Sequence, residues 1–316
     1  PKPGVGAAVR LPVAGRGAIP VDAVAVALNV TMTETSQPGF VQVFPTGGAV
    51  PGSSSNVNAS AAGQTIPNAV VTPLGADGSI TLFTSGGTHL LADVSGYFVA
   101  ADAPVAAGRF SAITPRRVFD TRPEFSIGYS GDKPAPLSRV TVDVVGAAGL
   151  MVGDTGAVAV NITPTESTLP GYIQAAAAGG LVVGASSNLN IERSGQTIAN
   201  MAIVPVGDDG SIELLTTGGA HLLVDVLGWF STDEVAVSTS GLYVPVSPER
   251  VLDTRPASAV NTDAEQRPGL GDTTKPGRGG QVSVFFDGLI PIEPAAVVVN
   301  ITTTEATLPG YVQAAG

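Results

Sequence analysis

Two histidines and two aspartates recur at one spacing, and residues of these types could perform acid–base or metal chemistry. His89 is followed four residues later by Asp93, and His221 by Asp225. An imidazole beside a carboxylate is used in general-base catalysis and in zinc ligation. Both pairs fall in runs typical of β-strands, where four residues span roughly 13 Å at about 3.3 Å per residue. The two side chains of a pair cannot touch within one strand, so we interpret them as structural hydrogen-bonding groups.

A charged Asp-Thr-Arg block occurs twice and is followed each time by proline. Its members are Asp120, Thr121, Arg122 and Asp253, Thr254, Arg255. The aspartate could contact calcium or a carbohydrate, and the arginine could bind a carboxylate. We favour a structural interpretation, in which the aspartate ties a turn while the arginine packs or forms an ion pair against the preceding unit.

Amide side chains form the remaining polar motifs. Gly-Gln-Thr-Ile contains Gln64 in one place and Gln196 in another, and an asparagine follows it as Asn68 or Asn200. Amides of this kind commonly satisfy loop backbone groups, so we expect a loop-fixing role.

Three Asn-X-Thr triplets begin at Asn29, Asn161 and Asn300 and alternate away from the Val/Ile face of their strands. They are possible glycan acceptors, although a repeated strand also generates such triplets without modification.

No set of motifs predicts an active site or a cofactor. The chain has no cysteine, no Asp-rich calcium loop and no Gly-rich phosphate loop. Its net charge of −11 opposes binding to nucleic acid and to anionic membranes. No apolar run reaches the roughly 18 to 20 residues needed to cross a bilayer. We therefore expect no enzymatic activity, no cofactor, no metal site, no nucleic-acid partner and no membrane insertion.

The elements that position these residues belong to an internal repeat. Residues 75–98 align without gaps on residues 207–230, with 16 of 24 positions identical at an offset of 132. The strand that contains Asn29 recurs with Asn161 and Asn300, and the Asp-Thr-Arg block recurs after 133 residues. Such periodicity is typical of tandem modules. We expect three units: residues 1–98 lacking an N-terminal part, a complete unit at 109–230, and residues 243–316 lacking a C-terminal part.

One complete unit predicts about eight short strands. Val and Ile in short runs, bounded by Gly, Pro, Asn and Ser, favour strands over helices. The strand candidates are 117–119, 139–145, 157–163, 172–176, 187–192, 198–206, 211–215 and 221–230. Ala76–Gly78 and Asp208–Gly210 are typical of hairpin turns. The predicted fold is all-β, a series of antiparallel β-sandwich repeats, Ig-like or jelly-roll-like, of about 130 residues. A small barrel or a trefoil is the alternative.

The last strand of the unit shows a clear polarity. Leu222, Val224, Val226 and Phe230 share one face, and residues of the other face include Trp229. We predict that the first set faces the core.

Four blocks of the repeat carry a family resemblance: VLDTRP, VNITPTESTLPGYIQ, SSNLNIERSGQTIANMAIVPVG and GSIELLTTGGAHLLVDVLGWF. They resemble the tandem repeats of large secreted and cell-surface proteins of actinobacteria and related bacteria. The resemblance extends over nearly the whole chain and implies an exported, extracellular protein of many repeats. It brings no catalytic residues and no established activity.

The leading functional hypothesis is a structural module of an extracellular stalk, sheath, surface layer or filament, in which repeats contact one another head to tail. The array could be one long chain, or could be assembled from protomers that complete one another's units. The alternative is an adhesin module that binds cell-wall or host glycan through loops. Tyr97, Tyr129, Trp229 and Tyr243 are the aromatic residues it could use.

Overall fold

The structure is a computed structural model, and it describes most of the 316 residues. The segments outside the described residues are 49–50, 102, 247–250, 255–274, 285–293, 309, 311, 313 and 315–316. The chain divides into two compact units, one formed by Pro1–Ser247 with Val298–Gly316 and the other by Pro248–Val297. The strands described below all belong to the first unit.

Fifteen strands are formed by the described residues. They are β1 (Ala7–Pro12), β2 (Ala23–Thr33), β3 (Gly39–Pro45), β4 (Val57–Ala59), β5 (Ile66–Pro73), β6 (Ser79–Thr84), β7 (His89–Val99), β8 (Phe110–Asp120), β9 (Ser138–Asp143), β10 (Thr155–Thr165), β11 (Gly171–Ala177), β12 (Leu189–Ile191), β13 (Asn200–Pro205), β14 (Ser211–Thr216) and β15 (His221–Ser231). A 3₁₀ turn (Pro123–Phe125) and a one-turn helix, α1 (Val145–Ala148), interrupt them. All eight strand candidates of the central unit are present, and the strand before Asp-Thr-Arg begins seven residues earlier than predicted.

The strands form four antiparallel sheets, none of them closed. Sheet A1 has the order β1-β6-β3-β4 and sheet B1 the order β5-β2-β7. Sheet A2 has the order β9-β14-β11-β12 and sheet B2 the order β13-β10-β15-β8. The prediction of an all-β protein is confirmed. A1 and B1 come from residues 7–99, called copy 1 below, and A2 and B2 from residues 110–231, called copy 2.

Each copy has its own hydrophobic cluster, drawn from both of its sheets. In copy 1, Leu28 and Met32 of B1 pack with Ile80 and Leu82 of A1. In copy 2, Ile162 and Leu222 of B2 are clustered with Leu214 of A2. Burial of alternating Val, Ile and Leu side chains on one face of each sheet is the main favourable term in such a core.

The Asp-Gly turns do not form hairpins, which corrects the prediction. Gly78 and Gly210 adopt the expected left-handed backbone, with φ of 70° and 77°. The aspartate before each glycine accepts a hydrogen bond from the following serine amide, Asp77 at 3.1 Å and Asp209 at 2.9 Å. However, the strands on either side of each turn belong to different sheets. The turn therefore carries the chain from sheet B to sheet A of the same copy.

The predicted core face of β15 is correct for Leu222, Val224 and Val226 but wrong for Phe230. The pairing of β15 with β8 and with β10 shifts register around Leu227, between Val226 and Gly228. A bulge adds one residue and reverses the alternation beyond it. Trp229 consequently packs against the copy 2 cluster, while Phe230 meets Phe98 of copy 1, with ring centroids 6.5 Å apart.

The two B sheets differ by one strand. In B2, β8 pairs with β15, and Val226 is fully buried. In B1, β7 is an edge strand among the described residues, and the equivalent Val94 is 45 % exposed. Two similar strand sequences therefore lie in two different environments, which provides an internal comparison for several residues discussed below.

Candidate functional site: an asparagine contact between repeat copies

The Asp-Thr-Arg block of copy 2 is tied together by its own charges. The carboxylate of Asp120 is fully buried and accepts hydrogen bonds from the Arg122 amide at 3.0 Å and from Arg122 Nη2 at 2.7 Å. The guanidinium of Arg122 also lies 4.5 Å from the Phe125 ring centroid. Burial opposes ionisation of Asp120, but the Arg122 hydrogen bonds and the charges of Arg122 and Arg117 outweigh it, so the pKa of Asp120 lies below its ordinary value.

This arrangement leaves no open carboxylate for a calcium ion or a sugar at Asp120. Arg122 forms its ion pair with Asp120 in its own block, whereas packing or an ion pair against the preceding unit was expected. In the second block, Asp253 and Thr254 are half-buried outside any strand, and Arg255 lies outside the described residues.

Thr121 connects the block to His221. The Thr121 hydroxyl accepts a hydrogen bond from the Leu222 amide at 2.9 Å and lies 3.0 Å from His221 Nδ1, with both side chains buried. Because the hydroxyl oxygen is already accepting, its proton is available to Nδ1. His221 therefore holds the start of β15 against the Asp-Thr-Arg block. The equivalent His89 in copy 1 is exposed and lies 3.8 Å from the Glu34 carboxylate.

The two repeated aspartates have different partners. Asp225 of β15 receives two hydrogen bonds of 2.9 Å from the guanidinium of Arg117, from Nε and from Nη2. Asp93 of β7 lies at the edge strand, and burial raises its pKa. Neither aspartate lies within hydrogen-bond distance of the histidine on its own strand, as the strand spacing predicts.

The two repeated glutamines close the same loop in each copy. Gln64 Oε1 accepts hydrogen bonds from the amides of Ser60 and Ala61, at 2.7 and 2.9 Å. Gln196 Oε1 accepts from the amides of Glu192 and Arg193, at 2.7 and 3.3 Å. Each glutamine positions the strand that follows it, β5 or β13. It thereby also positions Asn68, near the start of β5, or Asn200, the first residue of β13.

Strand β2 is buried on both of its faces. Leu28, Val30 and Met32 point into the copy 1 cluster. Asn29 and Thr31 point the other way, yet they are only 8 % and 5 % exposed. Their equivalents in copy 2, Asn161 and Thr163, are more exposed. The outer face of B1 is therefore covered by another part of the protein.

Copy 2 supplies the cover through a hydrogen-bonded asparagine pair. Asn29 Nδ2 donates to the carbonyl of Ser187 at 2.5 Å, and Asn200 Nδ2 donates to Asn29 Oδ1 at 3.0 Å. Asn200 Nδ2 also donates to the carbonyl of Asn188 at 2.6 Å. The nitrogen of Asn29 that would carry a glycan is thus enclosed and used for packing.

The same contact occurs a second time with equivalent residues. Asn300 Nδ2 donates to the carbonyl of Ser55 at 2.8 Å, and Asn68 Nδ2 donates to Asn300 Oδ1 at 2.7 Å. Asn68 Nδ2 also donates to the carbonyl of Asn56 at 2.7 Å. Ser55 and Asn68 are the copy 1 equivalents of Ser187 and Asn200, and Asn300 is the third-copy equivalent of Asn29. Copy 1 therefore contacts both copy 2 and the segment that follows Val298, called the copy 3 segment below.

A carboxylate adds to the contact between copies 1 and 2. Glu192 Oε1 accepts a hydrogen bond from the Thr65 amide at 2.7 Å, and Gln64 Nε2 lies 3.4 Å from Glu192 Oε2. Sequence reasoning missed Glu192, Ser55 and Ser187. The signal that was available is the outward position of each Asn-X-Thr asparagine, since a polar residue on a strand needs a partner if its face is covered.

The described residues contain no group of three or more His, Asp or Glu side chains placed to hold a metal ion. Within the same part of the chain, no helix is long and apolar enough to span a membrane. Comparison with protein-family models and with curated proteins gives no match.

Proposed function

We propose that the chain is a non-enzymatic structural module of an extracellular array, such as a stalk, sheath, surface layer or filament. Its units are β-sandwich repeats of about 130 residues that pack against one another. The observation that carries this proposal is the asparagine contact, which uses equivalent atoms at Asn29 with Asn200 and at Asn300 with Asn68.

Repetition of the contact supports assembly as its role. A ligand site is normally concave, with a few polar groups left available for the ligand. Here the polar groups of the repeat motifs are used inside the protein: Asp120 by Arg122, Gln196 by its own loop, and Asn29 by Asn200. Motifs whose polar atoms are satisfied within their own repeat or by a neighbouring repeat favour a building block over a binding site.

The sandwich interpretation is supported by the pairing of sheets within each copy. In each copy the A and B sheets contribute to one hydrophobic cluster, and the shared strand orders are equivalent apart from β8. Two sheets that share one core are the arrangement of a β-sandwich.

The carbohydrate-binding alternative has less support from the aromatic residues. Trp229 packs against the copy 2 cluster, Tyr129 packs on Phe119 with centroids 5.6 Å apart, and Tyr243 lies 4.4 Å from Phe98. Tyr97 is the member of the set that is exposed, at 45 %. One exposed ring among these four residues does not form a stacking platform for sugars.

Immunogold electron microscopy of intact, unpermeabilised cells of the source organism tests the role, using antibodies raised against the purified chain. We expect gold particles outside the cell, in rows or layers along a continuous structure. Label restricted to the cell interior would overturn the proposal.

A genomic Asn29→Ala, Asn200→Ala double variant tests whether the contact serves the array. We expect irregular or lost label, while a His89→Ala variant, at an exposed position outside the contact, keeps the wild-type pattern. Binding of the purified chain to a glycan array, lost in Tyr97→Ala and retained in the double variant, would favour the adhesin alternative.

A further inference from the structure

The contact between copies has a direction. One partner provides a face, the outer side of a B sheet with the Asn-X-Thr asparagine. The other provides an edge, formed by the asparagine after Gly-Gln-Thr-Ile and a serine carbonyl. The face of copy 1 receives the edge of copy 2. Asn300 of the copy 3 segment, which is exposed and lies outside any strand, makes the equivalent hydrogen bonds to the edge of copy 1. A contact between two different surfaces is heterologous, and it can be repeated until a ring closes or a filament forms.

The order of the copies decides between these outcomes. One rigid-body movement carries copy 2 onto copy 1. Because Asn300 makes the hydrogen bonds of Asn29 with the equivalent atoms of copy 1, we take the same movement to carry copy 1 onto copy 3, the repeat to which the copy 3 segment belongs. The step along the chain from copy 1 to copy 2 is the reverse of this movement. The step along the chain from copy 2 to copy 3 is this movement applied twice, first onto copy 1 and then onto copy 3. Neighbouring copies are joined by connections of nearly equal length, residues 100–109 and 232–242. If the step from copy 1 to copy 2 is the same as the step from copy 2 to copy 3, then the movement applied three times returns to the starting copy.

Equivalent residues also meet, as they do beside a rotation axis. Phe98 and Phe230 occupy the same repeat position, and their ring centroids are 6.5 Å apart. Val105 and Ser238, which lie in the two connections, exchange backbone hydrogen bonds of 3.1 and 2.9 Å. Repeats arranged end to end would separate such residues by the length of a whole repeat.

We propose that the repeats close in threes around a local threefold axis, and that the copy 2 face around Asn161 is the docking surface for the Gly-Gln-Thr-Ile-X-Asn edge of a complete third repeat. This edge is the occupant because the other two contacts of the cycle use the same two surfaces. In the described structure Asn161 donates only a 3.4 Å hydrogen bond, to Thr163 of its own strand, and it is more exposed than Asn29. The inference concerns packing within the chain and holds or fails independently of where the protein is located.

Distances between spin labels at three equivalent positions test the symmetry. Gln37, Leu169 and Leu308 precede the same glycine motif in the three copies, and all three are exposed. Because the chain has no cysteine, three double variants can each be labelled specifically: Gln37→Cys with Leu169→Cys, Gln37→Cys with Leu308→Cys, and Leu169→Cys with Leu308→Cys. A threefold arrangement gives three equal distances by pulsed electron paramagnetic resonance. A distance between 169 and 308 that is clearly longer than the other two would overturn the proposal, because an open array places those copies two steps apart.

An extended chain tests the docking surface. Joining residues 178–230 after Gly316 supplies the strands and the Gln–Asn edge that copy 2 places after its own equivalent of Gly316. In the 316-residue chain we expect Asn161→Ala to leave the denaturation midpoint unchanged. In the extended chain the same substitution should lower the midpoint as much as Asn29→Ala does. Folding of the extended chain is checked by its circular dichroism spectrum. If Asn161→Ala leaves the midpoint of the folded extended chain unchanged, the Asn161 face is not the docking surface.

Discussion

Asn29 and Asn200 lie 171 residues apart in the chain and share a buried hydrogen bond of 3.0 Å. Asn161, in the same repeat position as Asn29, makes no equivalent bond to another copy among the described residues. An asparagine at the equivalent position of equivalent strands therefore packs between copies at Asn29 and is only partly buried at Asn161. This difference permits a direct comparison of substitutions.

Asn29→Ala should reduce the free energy of unfolding by about 1–3 kcal/mol, because it leaves the partly buried Ser187 carbonyl without its donor and Asn200 without one acceptor. Asn161→Ala should change it by less than about 0.5 kcal/mol, as is usual for a substitution away from buried networks. Urea denaturation followed by tryptophan fluorescence measures both. Equal losses in the two variants would show that the contact between copies is not the source of the effect.

Substitution of the two repeated aspartates should have opposite effects. Asp225→Asn removes the charge that Arg117 binds through two hydrogen bonds, and we expect a loss of about 1–2 kcal/mol. Asp93→Asn should raise stability at pH 7, because burial disfavours the charged form of Asp93 and raises its pKa. Thermal unfolding of both variants and of the wild type at pH 7 measures these changes in stability. A comparable loss in Asp93→Asn would mean that Asp93 has a favourable charge partner.

The stability of the protein should fall in acid through Asp120. Since the pKa of Asp120 is lower in the folded state, its ionised form stabilises the fold above the unfolded value of about 3.9, and this contribution is lost as the pH falls through the folded pKa. Asp120→Asn removes the contribution at every pH. The stability difference between wild type and variant should therefore be largest near pH 7 and shrink below about pH 4. Arg122→Gln, which removes the cation and keeps the carboxylate, should weaken the same dependence. A difference that stays constant down to pH 2 would refute this assignment.

Thr121→Val should destabilise copy 2 by about 1–3 kcal/mol, because it leaves the buried Leu222 amide and His221 without a partner. Hydrogen exchange at the Leu222 amide should become faster. His221→Ala is expected to lower the melting temperature, whereas His89→Ala, at the exposed equivalent position, should leave it nearly unchanged. If both histidine variants behave alike, the buried contact with Thr121 has no role in stability.

Local sequence patterns were sufficient to predict the strands of the central unit and their order along the chain. Alternation of Val, Ile and Leu, together with Gly, Pro and Asn at the boundaries, predicted the eight strands of the central unit. Register beyond the bulge at Leu227 was not predictable, because one added residue reverses the alternation and nothing in the sequence of β15 marks it. Trp229 and Phe230 were consequently assigned to the wrong faces.

By itself, the sequence determined an all-β chain with a period of about 132 residues, outward-facing asparagines and glutamine motifs placed before strands. These properties depend on residues that are close together along the chain, and such residues form patterns that can be seen in the sequence. Only the tertiary structure decided that Asn29 binds Asn200, that Arg122 binds Asp120 in its own block, and that Asp93 and Asp225 differ. Such relationships depend on which surfaces of distant segments cover one another. The sequences of two similar strands do not show whether a neighbouring segment lies beside either of them.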